Sequence, residues 1–229
     1  MKVLVLADEP EKRFWDGYAM DTLRQADLVL SCGDLPANYL SYLTTFSRHP
    51  VVYVHGNHDH RYKENPPEGC INAEGHVILA GGLRILGLGG SMRYRPDNPC
   101  MFTEAEMAAR IRRLRRELKG TGGFDLLLAH SPVAGLGDQQ DLPHRGYECF
   151  KSLLSEYRPQ VMFHGHVHQS YSGLGFKRVR EWDGIPVINA CGSDLSDWPE
   201  DCHTEKKAGR LALAAMLRRS QPGAEFEHF

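Results

Sequence analysis

The sequence predicts an α/β domain. Short apolar runs at Val3–Leu6, Leu28–Ser31 and Val51–Val54 are separated by stretches long enough for a helix, the alternation that builds a parallel sheet. Each run is followed within a few residues by a polar cluster: Asp8, then Gly33-Asp34, then Gly56-Asn57-His58-Asp59. The same coupling returns later, where Phe124–Ala129 leads into His130-Ser131-Pro132 and Val161–Phe163 leads into Gly165-His166-Val167-His168.

The remaining elements follow in order. Pro36 fits the first turn of a helix whose apolar face carries Leu40, Leu43 and Phe46. His76–Ala80 and Leu83–Leu88 flank Gly81-Gly82 and read as a hairpin. A long helix is predicted over Thr103–Lys119, because Thr103 and Glu106 form a capping box and Met107, Ile111, Leu114 and Leu118 recur at helical spacing. A second carries Phe150, Leu153, Leu154 and Tyr157 and is stopped by Pro159. Two more strands are expected around Gly173–Trp182 and Ile185–Ala190. Lys206–Arg219 reads as an amphipathic helix, yet Leu211, Leu213 and Ala215 fit a strand equally well. The organisation expected is one domain over residues 1–200 and a C-terminal appendage over 201–229.

Composition narrows the function classes. The apolar fraction of 41% and charged fraction of 24% are those of an ordinary globular chain. A net charge of -2 gives no global field for nucleic acid or an anionic membrane. The six cysteines show no Cys-x-x-Cys spacing, so reduced thiols are expected rather than a disulfide framework or zinc finger. The opening apolar run meets Asp8 too early for a signal peptide, and no stretch has transmembrane length, so the expected location is cytoplasmic.

The clusters carry the chemistry. All sit at the carboxyl ends of predicted strands, the edge where an open α/β sheet delivers side chains to one crevice. Carboxylate, amide carbonyl and imidazole donors together suit Mn²⁺, Fe or Zn²⁺ better than Ca²⁺. His166 and His168, two residues apart, share one centre only if the strand has ended and the chain is turning at Gly165.

Four such clusters in this order resemble the calcineurin-like metallophosphoesterase superfamily over roughly the first 190 residues. The resemblance implies a sandwich of two mixed β-sheets flanked by α-helices. It also implies two divalent metal ions, Mn²⁺ foremost, with Fe, Zn²⁺, Ni²⁺ or Mg²⁺ as alternatives. Carried over by position, Asp34 bridges the metals, Asn57, His130 and His166 complete one site, and Asp8 and His168 belong to the other. His58, with Asp59 beside it, is the expected catalytic acid, protonating the leaving oxygen after attack by a metal-activated hydroxide. The implied function is hydrolysis of a phosphomonoester or phosphodiester. Asp34 is followed by Leu35-Pro36-Ala37 rather than the Asp-Arg-Gly continuation of phosphoprotein phosphatases, which favours a small-molecule or nucleotide-like substrate.

One ligand departs from the family pattern. Members usually open with Asp-x-His, and this chain reads Asp8-Glu9-Pro10. Pro10 has no donor, so Glu9 and His60 become candidate replacements, and a single-metal or non-catalytic binding protein is the alternative reading. For substrate, Arg93 and His144 are the residues placed to meet a phosphate, against a solvated-loop reading for each. The arginines from Arg110 to Arg116 raise a nuclease reading. They share that helix with Glu104, Glu106 and Glu117 and have no aromatic residues interleaved among them, as the solvated side of a helix would.

Overall fold

The computed structural model describes residues 1–168, 176–197 and 216–222. Its strands are β1 (Lys2–Ala7), β2 (Leu28–Ser31), β3 (Val51–Tyr53), β4 (Ile71–Asn72), β5 (Val77–Ala80), β6 (Leu83–Leu88), β7 (Ser91–Met92), β8 (Met101–Phe102), β9 (Leu126–Ala129), β10 (Val161–His164), β11 (Val179–Trp182), β12 (Ile185–Asn189) and β13 (Gly192–Asp197). The helices are α1 (Lys12–Trp15), α2 (Met20–Gln25), α3 (Ala37–Phe46), α4 (Glu104–Thr121) and α5 (Cys149–Tyr157).

The apolar runs divide between two sheets, one ordered β13-β1-β2-β3-β4 and the other β11-β12-β10-β9-β6-β5. The centres are parallel, as near-continuous buried runs require, while β13, β11 and β5 join antiparallel. Strand alternation then sorts the side chains. Val3, Val5 and Ala7 of β1 meet Leu126, Leu128 and Phe163 between the sheets, whereas Leu4 and Leu6 face Phe14, Leu23, Leu40 and Leu43 of the first helical layer. Leu127 and Met162 point the other way, onto Met107, Leu114, Phe150 and Leu154 of α4 and α5. Each such aliphatic side chain removed from water contributes about 1.5–3 kcal/mol, so the layering is well supported.

The predicted hairpin and capping box are present. β5 and β6 pair antiparallel, the Thr103 hydroxyl accepts from Glu106 N–H, and the Glu106 carboxylate accepts from Thr103 N–H. The far end of α4 stops at Gly122 in the left-handed region (φ 70°) and is stapled by Arg84. That guanidinium donates to the carbonyls of Thr121 and Gly122 and bidentately to Asp125 at the entry to β9.

Several expectations shift. The strand expected over Gly173–Trp182 is seen from Val179, and residues 173–175 lie outside the described residues. β13 is not expected from its polar sequence; six backbone pairings with β1 hold it, not apolar alternation. Of the ambiguous Lys206–Arg219 segment, 206–215 lie outside the described residues and 216–219 are helical. Met216 joins the core under α4, Ser220 accepts from Leu79 N–H, and Arg219 pairs with Glu117.

Candidate metal centre

Five strands deliver the predicted donors to one edge: β1 to Asp8, β2 to Asp34, β3 to Asn57 and His58, β9 to His130, and β10 to His166 and His168. The first three strands belong to one sheet and the last two to the other, so the donors meet across the seam of the sandwich. Three of them turn the chain in the left-handed region that side chains other than glycine rarely adopt: Asp8 (φ 65°), Asp34 (φ 56°) and His166 (φ 70°). Backbone strain of this kind is retained where a site requires a particular side-chain aim.

The turn after β10 therefore falls on His166 itself rather than on Gly165. Gly165 is needed for a different reason: a Cβ there would lie 2.6 Å from an Asp8 carboxylate oxygen. Gly56 likewise leaves room for the Asp34 side chain, and only Gly33 of these three glycines takes a positive φ, of 96°.

Donor atoms from several strands crowd around His130. Its Nδ1–H donates to the Cys32 carbonyl at 2.8 Å, which turns Nε2 toward the site. Nε2 lies 3.0 Å from Asn57 Oδ1 and 3.3 Å from Asp34 Oδ2. Asn57 Nδ2 lies 3.4 Å from the Tyr94 hydroxyl, which fixes the amide with its oxygen inward. His166 is oriented by donation from Nε2–H to the Pro143 carbonyl at 2.7 Å, leaving Nδ1 for the site, while its backbone N–H meets both Asp8 oxygens at 3.0 Å. Ligand atoms of Asp34, His130 and His166 all lie within 4.8 Å of one another. Lone pairs from an amide, a carboxylate and two imidazoles thus converge on one small volume, an arrangement that a divalent cation satisfies.

Electrostatics agree. Burial disfavours a charge on His130, but Asp34, with help from Asp8, overrides it and holds the imidazole up to about 9. Burial also opposes the charge on Asp34, and His130 with the His58 N–H overcomes it, holding the carboxyl far below its usual range. Burial, then the charge on His130, drives His166 down to about 3.

His58 stands at the open side, 65% exposed, with Nε2 4.0 Å from Asp34 Oδ2. Asp59 points inward instead, accepting the N–H groups of Asp34 (2.6 Å) and Gly56 (2.7 Å) through one oxygen. Burial and then Asp34 push it up to about 7. His168 faces two ways, with Nε2 3.9 Å from Asp8 and Nδ1 2.9 Å from Glu9. Cys191 completes a second group with Glu9 and His168 whose ligand atoms also lie within 4.8 Å of one another. Of the two candidate replacements for the missing ligand, Glu9 is in this cluster. His60 is not; it lies exposed on the 3₁₀ turn His60–Lys63, beside a cavity lined by Tyr53, Tyr62 and Phe102.

Among the substrate candidates, His144 is at the site, its ring 5.3 Å from that of His166 and its Nδ1 paired with Asp141. Arg93 is turned away to Glu106 and the Pro96 carbonyl. Its loop nevertheless reaches the site through Tyr94 and through Asn98, which donates to the Asn57 carbonyl. His76 pairs with Glu117, while His55 lies beside Glu74 and His164 is bonded to the Gly165 carbonyl, all three buried or nearly so. Sequence reasoning missed Tyr94, Asn98 and Cys191. The last follows β12 by two residues, so the strand-end rule applied there would have found it.

A two-sheet sandwich whose parallel strands present Asp, Asn and His at one edge defines a metal-dependent phosphoesterase fold. The calcineurin-like phosphoesterase superfamily domain matches residues 1–193, and the chain belongs to that family. Its members generally bind divalent metals, and the family suggests hydrolysis of phosphate esters, with some members non-catalytic. Among solved structures, TT1561 of Thermus thermophilus aligns with TM-score 0.55 and 17% identity, covering 83% of this chain and 89% of that one, a likeness of fold. GAP50, the anchor in the inner membrane complex of Plasmodium, aligns with TM-score 0.42 and 10% identity over 82% of this chain and 70% of that one. No curated protein matches the chain. No helix among the described residues is long and apolar enough to cross a membrane.

Proposed function

We propose that the chain hydrolyses a phosphomonoester or phosphodiester of a small or nucleotide-like molecule, using two divalent ions of which Mn²⁺ is the first choice. The approach of Asn57 Oδ1 and Asp34 Oδ2 to His130 Nε2, at 3.0 and 3.3 Å, carries this reading. Asn57, His130 and His166 would hold one ion, Asp8 and His168 the other, and Asp34 both. When bound, such ions supply Lewis acidity and make water a stronger acid.

The chain's own groups do the rest. The Cys32 and Pro143 carbonyls fix the tautomers of His130 and His166, and Tyr94 fixes the amide of Asn57. His58, exposed beside Asp34, holds a proton at the mouth for the departing oxygen. Asp59 acts through the backbone, tying the Asp34 turn to the Gly56 turn. The reading includes a cytoplasmic location and a phosphoesterase domain over 1–200 with an appendage over 201–229. It rests for the first on cysteines that lack disulfide-framework or zinc-finger spacing, and for the second on where the clusters end.

A second reading, a single-metal or non-catalytic binding protein, is favoured by one observation, the Pro10 that stands where a ligand is expected. Hydrolysis of p-nitrophenyl phosphate and its bis ester with added Mn²⁺ separates the two. Turnover lost in Asn57→Ala and His58→Ala supports the enzyme; metal bound at one equivalent with no turnover under Mn²⁺, Fe²⁺, Ni²⁺ or Zn²⁺ supports the binder.

A further inference from the structure

Pro10 removes a nitrogen donor from the outer side of the centre, and three side chains from separate parts of the chain stand there. Glu9 follows β1, His168 follows β10, and Cys191 lies between β12 and β13, bridged through its backbone to Ala7. One ligand atom from each falls within 4.8 Å of the others. Because a zinc-type ion sits about 2.0–2.3 Å from O, N and S donors, a single ion can reach all three.

We propose that Glu9, His168 and Cys191 form a thiolate-bearing metal position, so that the ion held on the Glu9 side of His168 is a thiophilic one such as Zn²⁺ or Co²⁺ rather than Mn²⁺. The proposal rests on the metal-centre reading above and changes its chemistry on one side. The inner group of Asp34, Asn57, His130 and His166 offers only oxygen and nitrogen, which serve Mn²⁺ and Fe as well as Zn²⁺. The outer group adds sulfur, and soft ligands select zinc-type ions over Mn²⁺. Two features support the placement. The backbone of Cys191 is held on both sides, its N–H on Asn189 Oδ1 and its carbonyl on Arg178, and Asn189 in turn donates to the Val167 carbonyl beside His168. Glu9 already meets His168 at 2.9 Å, the spacing of two ligands on one ion. On binding, the Cys191 thiol gives its proton to solvent and the sulfur enters as thiolate.

Titration of the full chain with Co²⁺ tests this without reference to turnover. The expected result is a near-ultraviolet thiolate-to-cobalt charge-transfer band that grows with one equivalent and is absent in Cys191→Ser. Glu9→Gln keeps a hydrogen-bond acceptor for His168 but is a poorer ligand. It should weaken the band-forming equivalent by roughly 10- to 100-fold, the scale on which metal sites respond to loss of supporting groups. Because Glu9 is 63% exposed, that variant tests the site even if Cys191→Ser fails to fold. Cobalt bound to the wild type without the band overturns this inference alone, as does a band that survives Cys191→Ser or an unchanged affinity in Glu9→Gln. No cobalt bound at all overturns the metal-centre reading with it.

Discussion

Asn57 Oδ1 lies 3.0 Å from His130 Nε2, although the two residues are delivered by different sheets. An amide that leaves β3 and an imidazole that leaves β9 meet lone pair to ring nitrogen. The seam between the sheets is closed at this edge by polar side chains, with the apolar layer beneath them.

If the two residues serve one metal position, as proposed, their effects should not add. Asn57→Ala and His130→Ala should each lower Mn²⁺ affinity by at least roughly tenfold, and the double variant should lose clearly less than the product. Calorimetric titration of the four proteins reads this directly, and simple additivity would separate the residues into independent roles.

His58→Ala should divide turnover from binding. A general acid is worth about 10²–10⁴ in rate. The side chain is 65% exposed, so the variant should keep its metal content and its melting temperature. Metal loss in that variant would make His58 a ligand instead.

The pH dependence follows from His130, whose folded value of about 9 lies above the ordinary 6.5. In the presence of chelator, the stabilisation it contributes is complete below about 6.5 and is lost as pH rises through about 9. A ligand imidazole must shed that proton, so Mn²⁺ affinity should climb with pH across the same interval. Urea unfolding with chelator and metal titration without it should therefore slope in opposite directions. A flat metal affinity from pH 7 to 9 would exclude His130 as a ligand.

Asp125→Ala is the stability counterpart. Removing one partner of a buried ion pair costs about 3–5 kcal/mol because the other charge is left uncompensated. Arg84 would be that charge, at 7% side-chain exposure. The midpoint of urea unfolding should fall accordingly, while the folded fraction binds metal as before, since Arg84 and Asp125 hold the far end of α4.

The parts of the fold legible in the sequence are those in which burial and backbone agree. The runs at Val3, Leu28, Val51 and Phe124 are readable because buried parallel strands are continuously apolar, and their ends point to Asp8, Asp34, Asn57 and His130. β13 is not readable, because Gly192–Asp197 is held by its ladder to β1 and needs little apolar character. Tyr94 and Asn98 are hidden by a loop whose strands, β7 and β8, are only two residues each. Cys191 escapes a search for spacing among cysteines, because its partners are a glutamate and a histidine brought near by the sheets. Gly165 is special in sequence and structure alike, but for different reasons: the constraint is closeness to Asp8, and the unusual dihedral belongs to His166.

The pairing of β1 with β13 also sets an order of events during synthesis. Asp8, Asp34 and Asn57 leave the ribosome with the first 57 residues, yet the β1 edge stays uncovered until Gly192–Asp197 arrives. The imidazoles of His130 and His166 emerge in between, on the second sheet. Contacts this distant in sequence form late. A nascent chain that ends before His130 and His166 therefore lacks two of the donors that converge on this edge. The convergence of donors is thereby a property of the two joined sheets, and a chain stopped short of β10 cannot assemble it.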